Sequence, residues 1–184
     1  MSGVRHRLTI EFALLGLVRR RPMHPYEIHQ HLRSDSALGE IWCVKQAHLY
    51  ALLHRLEEEG FLIGVTETQG NRPPRRVLSL TERGHEAFAA WMRTPVTHGR
   101  DFRLELLAKL YFAHQEGAES VQSLIAQQQS ACQRMLDDLD HKAVTLAPDQ
   151  PYRHLIIRFR RGQIQATLAW LDTCRKALTS DVVP

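Results

Sequence analysis

The sequence predicts a mainly α-helical protein that contains one small β-hairpin and ends in two long helices. Three observations support this fold class. Apolar residues recur at helical spacing over most of the 184-residue chain. Two β-rich runs, FLIGVTET and RRVLSLT, flank a short turn that is rich in arginine. Two long apolar stripes in the C-terminal half have few local partners, so they are expected to pack against each other or a second chain.

The composition is that of an ordinary globular protein, with 43% hydrophobic and 24% charged residues. The net charge of +4 permits a nucleic-acid partner without requiring one. No apolar run approaches the ~20 residues that cross a bilayer. Three widely separated cysteines argue against a disulfide framework or a paired-cysteine metal site. We therefore expect a reduced cytoplasmic protein without membrane association or a cofactor.

The first two helices are predicted from apolar spacing and from the residues that end them. Helix one begins at Thr9 and carries arginines at 19–21, where cations favour the negative end of the helix dipole. Pro22 ends it, and His24-Pro25 opens a shorter second helix. The residues predicted to form the buried face of that second helix are Tyr26, Ile28 and Leu32.

A third helix is predicted from Val44 to Glu59, with Gly60 as the residue that ends it. Its apolar side carries Leu49, Leu52, Leu53 and Leu56. Its other side carries Ala47, Ala51, His54 and Glu58, flanked by His48, Tyr50 and Arg55, with Lys45 and Gln46 in the first turn. Small residues surrounded by polar donors suit close approach to a base-pair edge. An ordinary solvated helix face would look the same, and this helix alone leaves both interpretations open.

The β-rich runs enclose the stretch TQGNRPPRR, in which Gly70-Asn71 is a turn signal and Pro73-Pro74 stiffens the tip. Thr81 is a suitable cap for a following helix. The order of three helices, a hairpin and a helix is that of a winged helix-turn-helix, in which the third helix enters the major groove. Arg72, Arg75 and Arg76 would then meet phosphates or a narrow minor groove. Taken alone, the same loop reads as a solvated turn.

Three stretches together resemble the PadR family of bacterial transcriptional regulators: ALLGLVRRRPMHPYEI (13–28), HLYALLHRLEEEGFL (48–62) and RPPRRVLSLTERG (72–84). The chain departs from the family pattern at Pro25, Ala51 and Leu78. The resemblance implies a homodimeric repressor that a small aromatic or amphipathic effector releases from DNA. By motif position, the resemblance implies that DNA is contacted by Gln46, Ala47, His48, Tyr50, Arg72, Arg75 and Arg76. We add Lys45, which lies in the first turn of the same helix.

We expect the winged helix-turn-helix domain to span residues 1–95 and a long-helix dimerisation domain to span 96–184. Residues 96–101 read as a linker, and helices are predicted over 102–113, 118–144 and 152–178. The last helix shows a near-heptad stripe that favours coiled-coil-like dimerisation over packing within the chain. The predicted interface residues are Leu155, Ile156, Phe159, Ala166, Trp170 and Cys174. A two-fold dimer predicts an inverted-repeat operator in double-stranded DNA, with recognition helices about 34 Å apart.

A candidate effector pocket is indicated by aromatic residues at two places in the sequence. Phe88, Trp91 and Met92 near the domain junction, with Trp170 of the last helix, could line an aromatic cavity. The competing interpretation is that they are core residues at helical spacing.

Other functional classes have weaker support. No nucleophile, metalloprotease, nucleotide or dinucleotide motif indicates an enzyme. His29 and His31 lie two residues apart, which points them to different sides of a helix and disfavours a metal site with His24. Cys43 has no basic neighbours that would favour its thiolate as a redox sensor. A winged helix that binds only protein would leave the hairpin arginines without a role.

Overall fold

A computed structural model of the protein describes residues 9–33, 35–67 and 75–179, except for the side chains of Glu67 and Arg75. The chain forms two compact units, residues 1–94 and 95–184. The helices of the first unit are α1 (Thr9–Arg20), α2 (Pro25–Gln30), α3 (Gln46–Glu58) and α4 (Glu82–Arg93), and its strands are β1 (Leu62–Glu67) and β2 (Arg75–Leu80). The second unit contains α5 (Leu107–Glu116), α6 (Ala118–Thr145) and α7 (Pro151–Thr179). This mainly helical architecture with one hairpin is the predicted fold class.

The core of the first unit is built from the apolar faces of its helices. The leucine stripe of α3 is buried as the spacing predicts, with Leu49 and Leu56 at 0% exposure. Gly60 follows the helix at φ +73°, the left-handed conformation that glycine adopts without steric penalty. The prediction for α2 was wrong in one respect, because Tyr26 is 55% exposed while Ile28 and Leu32 are buried.

The hairpin is antiparallel, with Leu62 opposite Leu80 and Val65 opposite Val77. Met23 adds a backbone bridge to Leu78, which joins the segment after α1 to β2 on the side away from β1. The hydroxyl of Thr81 accepts a hydrogen bond from the Gly84 amide at 3.1 Å, so the predicted cap of α4 is confirmed. The predicted turn at Gly70-Asn71 and the Pro73-Pro74 step lie outside the described residues.

In the second unit, α6 and α7 form an antiparallel helix pair. Asp140 near the end of α6 meets Arg161 at 3.0 Å. Gln129, earlier on α6, donates to Asp172 further along α7 at 2.8 Å and accepts from Arg175. Residues later in α6 thus contact residues earlier in α7, as in an antiparallel pair. The core between the two helices includes Cys132, Leu139 and Ile164.

The segment predicted as a linker, 96–101, is part of the second unit. Val96 is 3% exposed, and the side-chain amide of Gln128 pairs with its backbone. The Val96 N–H donates to Gln128 Oε1, and Gln128 Nε2 donates to the Val96 carbonyl, both at 2.8 Å. The amide thus supplies the two hydrogen bonds that a neighbouring strand would give. A short 3-10 turn, Gly99–Asp101, follows.

The helix predicted over 102–113 begins with an irregular turn. Residues Phe102–Leu106 form a π-helical turn before the regular α5 begins at Leu107. It places Glu105 2.6 Å from Lys109, whose side chain is fully buried. Burial lowers the pKa of Lys109 because it disfavours the charged form, although Glu105 acts in the opposite direction.

No helix within the described ranges is long and apolar enough to cross a membrane.

Candidate nucleic-acid interface

The N-terminal end of α3 presents an exposed surface of polar side chains and alanines. Lys45 occupies the N-cap position in an extended backbone conformation, and its side chain makes no capping hydrogen bond. All five residues predicted here to face DNA are exposed: Lys45, Gln46, Ala47, His48 and Tyr50. The surface continues along the helix through Ala51 and His54, which are also exposed. The leucines of the opposite face hold this surface outward, because they are buried in the core.

A buried ion pair fixes the position of α3 against α1. Glu11 lies in the first turn of α1 at 0% exposure, and its Oε1 accepts from Arg55 Nη2 of α3 at 2.5 Å. The sequence suggested that Arg55 flanks the outer face, but the structure turns its guanidinium inward. The positive end of the α1 dipole favours the carboxylate at this place. The pairing was missed because 44 residues separate the partners.

A second ion pair ties the hairpin to the C-terminal end of α3. Arg76 of β2 donates to Glu57 at 2.6 Å, and the carboxylate is largely buried while the guanidinium is 59% exposed. Gly64 of β1 makes room for the pair, since a Cβ there would lie 2.5 Å from Arg76 Nε and 2.7 Å from Glu57 Oε1. Of the predicted hairpin contacts, Arg72 and the side chain of Arg75 lie outside the described residues.

The contact between Arg76 and Glu57 bears on the prediction that Arg76 meets phosphate. We expect Glu57→Gln to raise affinity for non-operator DNA several-fold, because it frees a cation beside the surface of α3. If Arg76 then contacts one phosphate, the slope of log K against log salt steepens by about 0.9. Fluorescence anisotropy on random-sequence duplexes over a salt series measures both quantities.

The matched control for this variant is Glu86→Gln, which makes the same charge change at an exposed position of α4. Equal slopes in the two variants would mean that Arg76 gains no phosphate contact and that only bulk charge matters.

The four residues proposed for an effector pocket have different environments. Phe88 and Trp91 are buried in the first unit with ring centroids 5.7 Å apart, and Phe12 stacks on Trp91 at 5.3 Å. Met92 is half-buried. Trp170 is 36% exposed on α7 of the second unit. The surroundings of Phe88 and Trp91 are those of core residues, and their part in an effector pocket stays a prediction.

The residues predicted to form a dimer interface lie mostly on the open side of α7. Leu155 is 59% exposed and Phe159 65%, with Ile156 and Trp170 each at 36%. Ala166 is also exposed. Cys174 differs, because it is already buried within the single chain and has little surface left to offer a partner.

The contacts of His24 and the burial of the cysteines bear on the metal-sensor and redox-sensor alternatives. His24 caps α2, since its Nδ1 accepts from the Tyr26 amide at 3.1 Å. Among the described residues, no three His, Cys, Asp or Glu side chains are grouped to hold a metal ion. Cys132 and Cys174 are buried free thiols whose pKa values burial raises, and Cys43 is exposed.

The helices, the hairpin and the outward polar face of α3 define the first unit as a winged helix-turn-helix, a class that inserts its third helix into the DNA major groove. Residues 14–90 match the model of the transcriptional regulator PadR-like family, and residues 102–179 match the model named virulence activator alpha C-term. The first unit of the chain is therefore similar to the PadR-like family of transcriptional regulators, and the protein is a DNA-binding regulator.

Two relatives are named as transcriptional regulators. The negative transcriptional regulator PadR of Bacillus subtilis is 26% identical over 71% of this chain and 70% of its own length. A probable transcriptional regulator of Mycobacterium tuberculosis, Rv1176c, is 23% identical over 52% of this chain and 50% of its own. A crystal structure of Bacillus subtilis PadR with operator DNA is 21% identical, covers 90% of this chain and 97% of its own, and gives a TM-score of 0.45.

Proposed function

We propose that the protein is a homodimeric transcriptional repressor of the cytoplasm that binds an inverted-repeat operator in double-stranded DNA. In this proposal the N-terminal domain, residues 1–95, contacts DNA, and the C-terminal domain, residues 96–184, forms the dimer. A small amphipathic effector would relieve repression by changing the spacing or angle of the two wings.

The observation that carries the proposal is the exposed end of α3. Lys45, Gln46, His48 and Tyr50 are donors on an open surface, and Ala47 between them is small enough to let the backbone approach a base edge. Three elements back this surface: its own leucines, the ion pair to α1 and the ion pair to the hairpin. A binding surface supported by rigid elements loses little order when DNA docks.

The exposed apolar stripe of α7 supports the dimer. Leu155, Ile156 and Phe159 lie within about one and a half helical turns, and their exposure is unusual for large apolar side chains on one face. A second copy would bury this stripe and pair two α3 surfaces across a two-fold axis. The negative regulator from Bacillus subtilis supports repression over activation.

Fluorescence anisotropy with the DNA directly upstream of the protein's own gene tests the proposal. We expect wild-type binding that competitor DNA does not remove. Arg72→Ala/Arg75→Ala is expected to weaken it at least about tenfold and to reduce the salt slope by up to about 0.9 for each lost phosphate contact. Sedimentation velocity of the free protein checks the dimer.

The control is Arg134→Ala/Arg158→Ala, which removes the same charge from exposed positions of α6 and α7. Equal losses in both double variants would assign the effect to bulk charge and not to the hairpin. A monomer at micromolar concentration would contradict the dimer. If the wild type prefers neither this DNA nor any sequence recovered by genome-wide selection, the proposed operator binding is wrong.

A further inference from the structure

The second unit contains a cleft of about 600 Å³ between α6, α7 and residues 97–100. Its apolar floor consists of Leu139 and Ile164, which are 7% and 3% exposed, with Met135 half-buried beside them. Phe159 of α7 contributes an exposed aromatic ring to the wall. The volume lies within the range of about 300–1,000 Å³ that is typical of small-molecule sites.

The rim of the cleft is positively charged. Arg100, Lys142 and Arg160 line it together with a single carboxylate, Asp138, which leaves a surplus of two positive charges (3 − 1) when histidine is neutral. Arg100 is already 3.7 Å from Asp101, outside the lining. In the part of the chain that the structure describes, Lys142 and Arg160 make no ion pair. They reach the cleft from different helices, so both could meet one ligand.

The helical spacing explains why these groups converge. Met135, Asp138, Leu139 and Lys142 follow the i, i+3, i+4, i+7 pattern, which places them on one side of α6. Arg160 and Ile164 are four residues apart on α7 and therefore face the same way. Each helix thus presents an apolar residue toward the floor and a cation toward the rim.

From this arrangement we infer that the cleft binds a small amphipathic anion, with an aromatic or aliphatic body on Leu139, Ile164 and Phe159 and an acidic group held by Lys142 and Arg160. A neutral apolar molecule would leave both cations without a partner, and a small inorganic anion would leave the floor exposed. The ligand class is therefore a monoanion with an apolar body, such as an aromatic carboxylate or sulfonate.

The position of the cleft would allow a bound ligand to affect both dimerisation and the segment that follows the first unit. Phe159 belongs to the stripe proposed as the dimer interface, and residues 97–100 begin shortly after the first unit ends at Thr94. A ligand here would contact both the dimerisation helix and the segment that follows the DNA-binding unit. The identification of this ligand as the effector rests on the proposed function, whereas its binding to the cleft does not.

Titration of the full-length protein with anilinonaphthalene sulfonate, an aromatic monoanion that fluoresces in apolar sites, tests the inference without DNA. Its neutral parent, N-phenylnaphthylamine, shares the aromatic body and lacks the acidic group. We expect the sulfonate to bind more tightly than the neutral compound, and Lys142→Gln and Arg160→Gln each to weaken sulfonate binding about fivefold or more. Neither variant should change binding of the neutral compound.

Arg158→Gln is the matched control, because it removes the same charge two residues away on α7 from an exposed position that does not line the cleft. Circular dichroism is used to check that each variant is folded. The inference is overturned if both compounds bind equally, or if Arg158→Gln weakens sulfonate binding as much as Arg160→Gln. Failure of operator binding with an intact titration would instead contradict the proposed function alone.

Discussion

Ala47→Glu is expected to abolish specific DNA binding while leaving the protein folded. Ala47 lies exposed at the start of α3, in the centre of the surface that would enter the major groove. A glutamate there adds bulk where the backbone has to approach a base edge, and it places a negative charge among phosphates. Like charges brought together at an interface are opposed by several kcal/mol, so we expect affinity to fall at least about 100-fold, or roughly 3 kcal/mol.

Anisotropy titration on the selected operator measures this loss, and Ala90→Glu provides the control. Ala90 is also an exposed alanine, on α4 of the same unit. Both variants add one negative charge at an exposed helical alanine, in the first turn of α3 and the last turn of α4. The helix dipole favours the first glutamate and disfavours the second, so Ala90→Glu should be the less stable of the two, and only Ala47→Glu should lose DNA affinity. If Ala47→Glu retains operator affinity, α3 is not the recognition helix, even though the fold is a winged helix-turn-helix.

The second large effect is expected for Glu11→Ala, and it concerns stability. The substitution removes a fully buried carboxylate and leaves the Arg55 guanidinium, which is 34% exposed, without that partner. Arg55 Nε is already buried with no hydrogen-bond acceptor among the described residues, so further loss is poorly tolerated. Breaking a buried pair is destabilising by about 3–5 kcal/mol, and partial solvation of Arg55 reduces our expectation to about 2–4 kcal/mol.

Denaturant unfolding at fixed protein concentration measures the change, because dimerisation would otherwise shift the midpoint. Glu11→Gln keeps the shape and a hydrogen-bond acceptor and should be less harmful. Glu11→Leu/Arg55→Leu should recover most of the loss, because it leaves no unpaired charge. A change below about 0.5 kcal/mol in Glu11→Ala would place the pair among ordinary surface contacts.

Features set by neighbours in the sequence were predictable. The leucine stripe of α3, the Thr81 cap and the hairpin all follow from spacing or from residues a few positions apart. Tyr26 was assigned wrongly because α2 has only six residues, and so short a helix hardly distinguishes one face from another. The larger residue stays outside, while Ile28 and Leu32 fill the core.

The contacts that hold the candidate site in place could not be predicted, because they join distant residues. Glu11 and Arg55 are 44 positions apart, and Glu57 and Arg76 are 19 apart. A single sequence shows each of them as one more charged residue on a helix or strand. The exposed residues at the start of α3 were found because their position followed from the helix itself, whereas the inward turn of Arg55 depends on a different helix.

The pairing of Gln128 with Val96 affects where two homologous regulators can be recombined into a hybrid that still folds. Gln128 recognises the peptide group at position 96 and not its side chain, so that position can drift among apolar residues while the glutamine stays fixed. A recombination crossover at the 94/95 boundary transfers both partners together. A crossover a few residues later would take the glutamine from one parent and the peptide at position 96 from the other. Because the backbone of either parent supplies that peptide group, the hybrid would need only the parent that contributes α6 to have kept the glutamine.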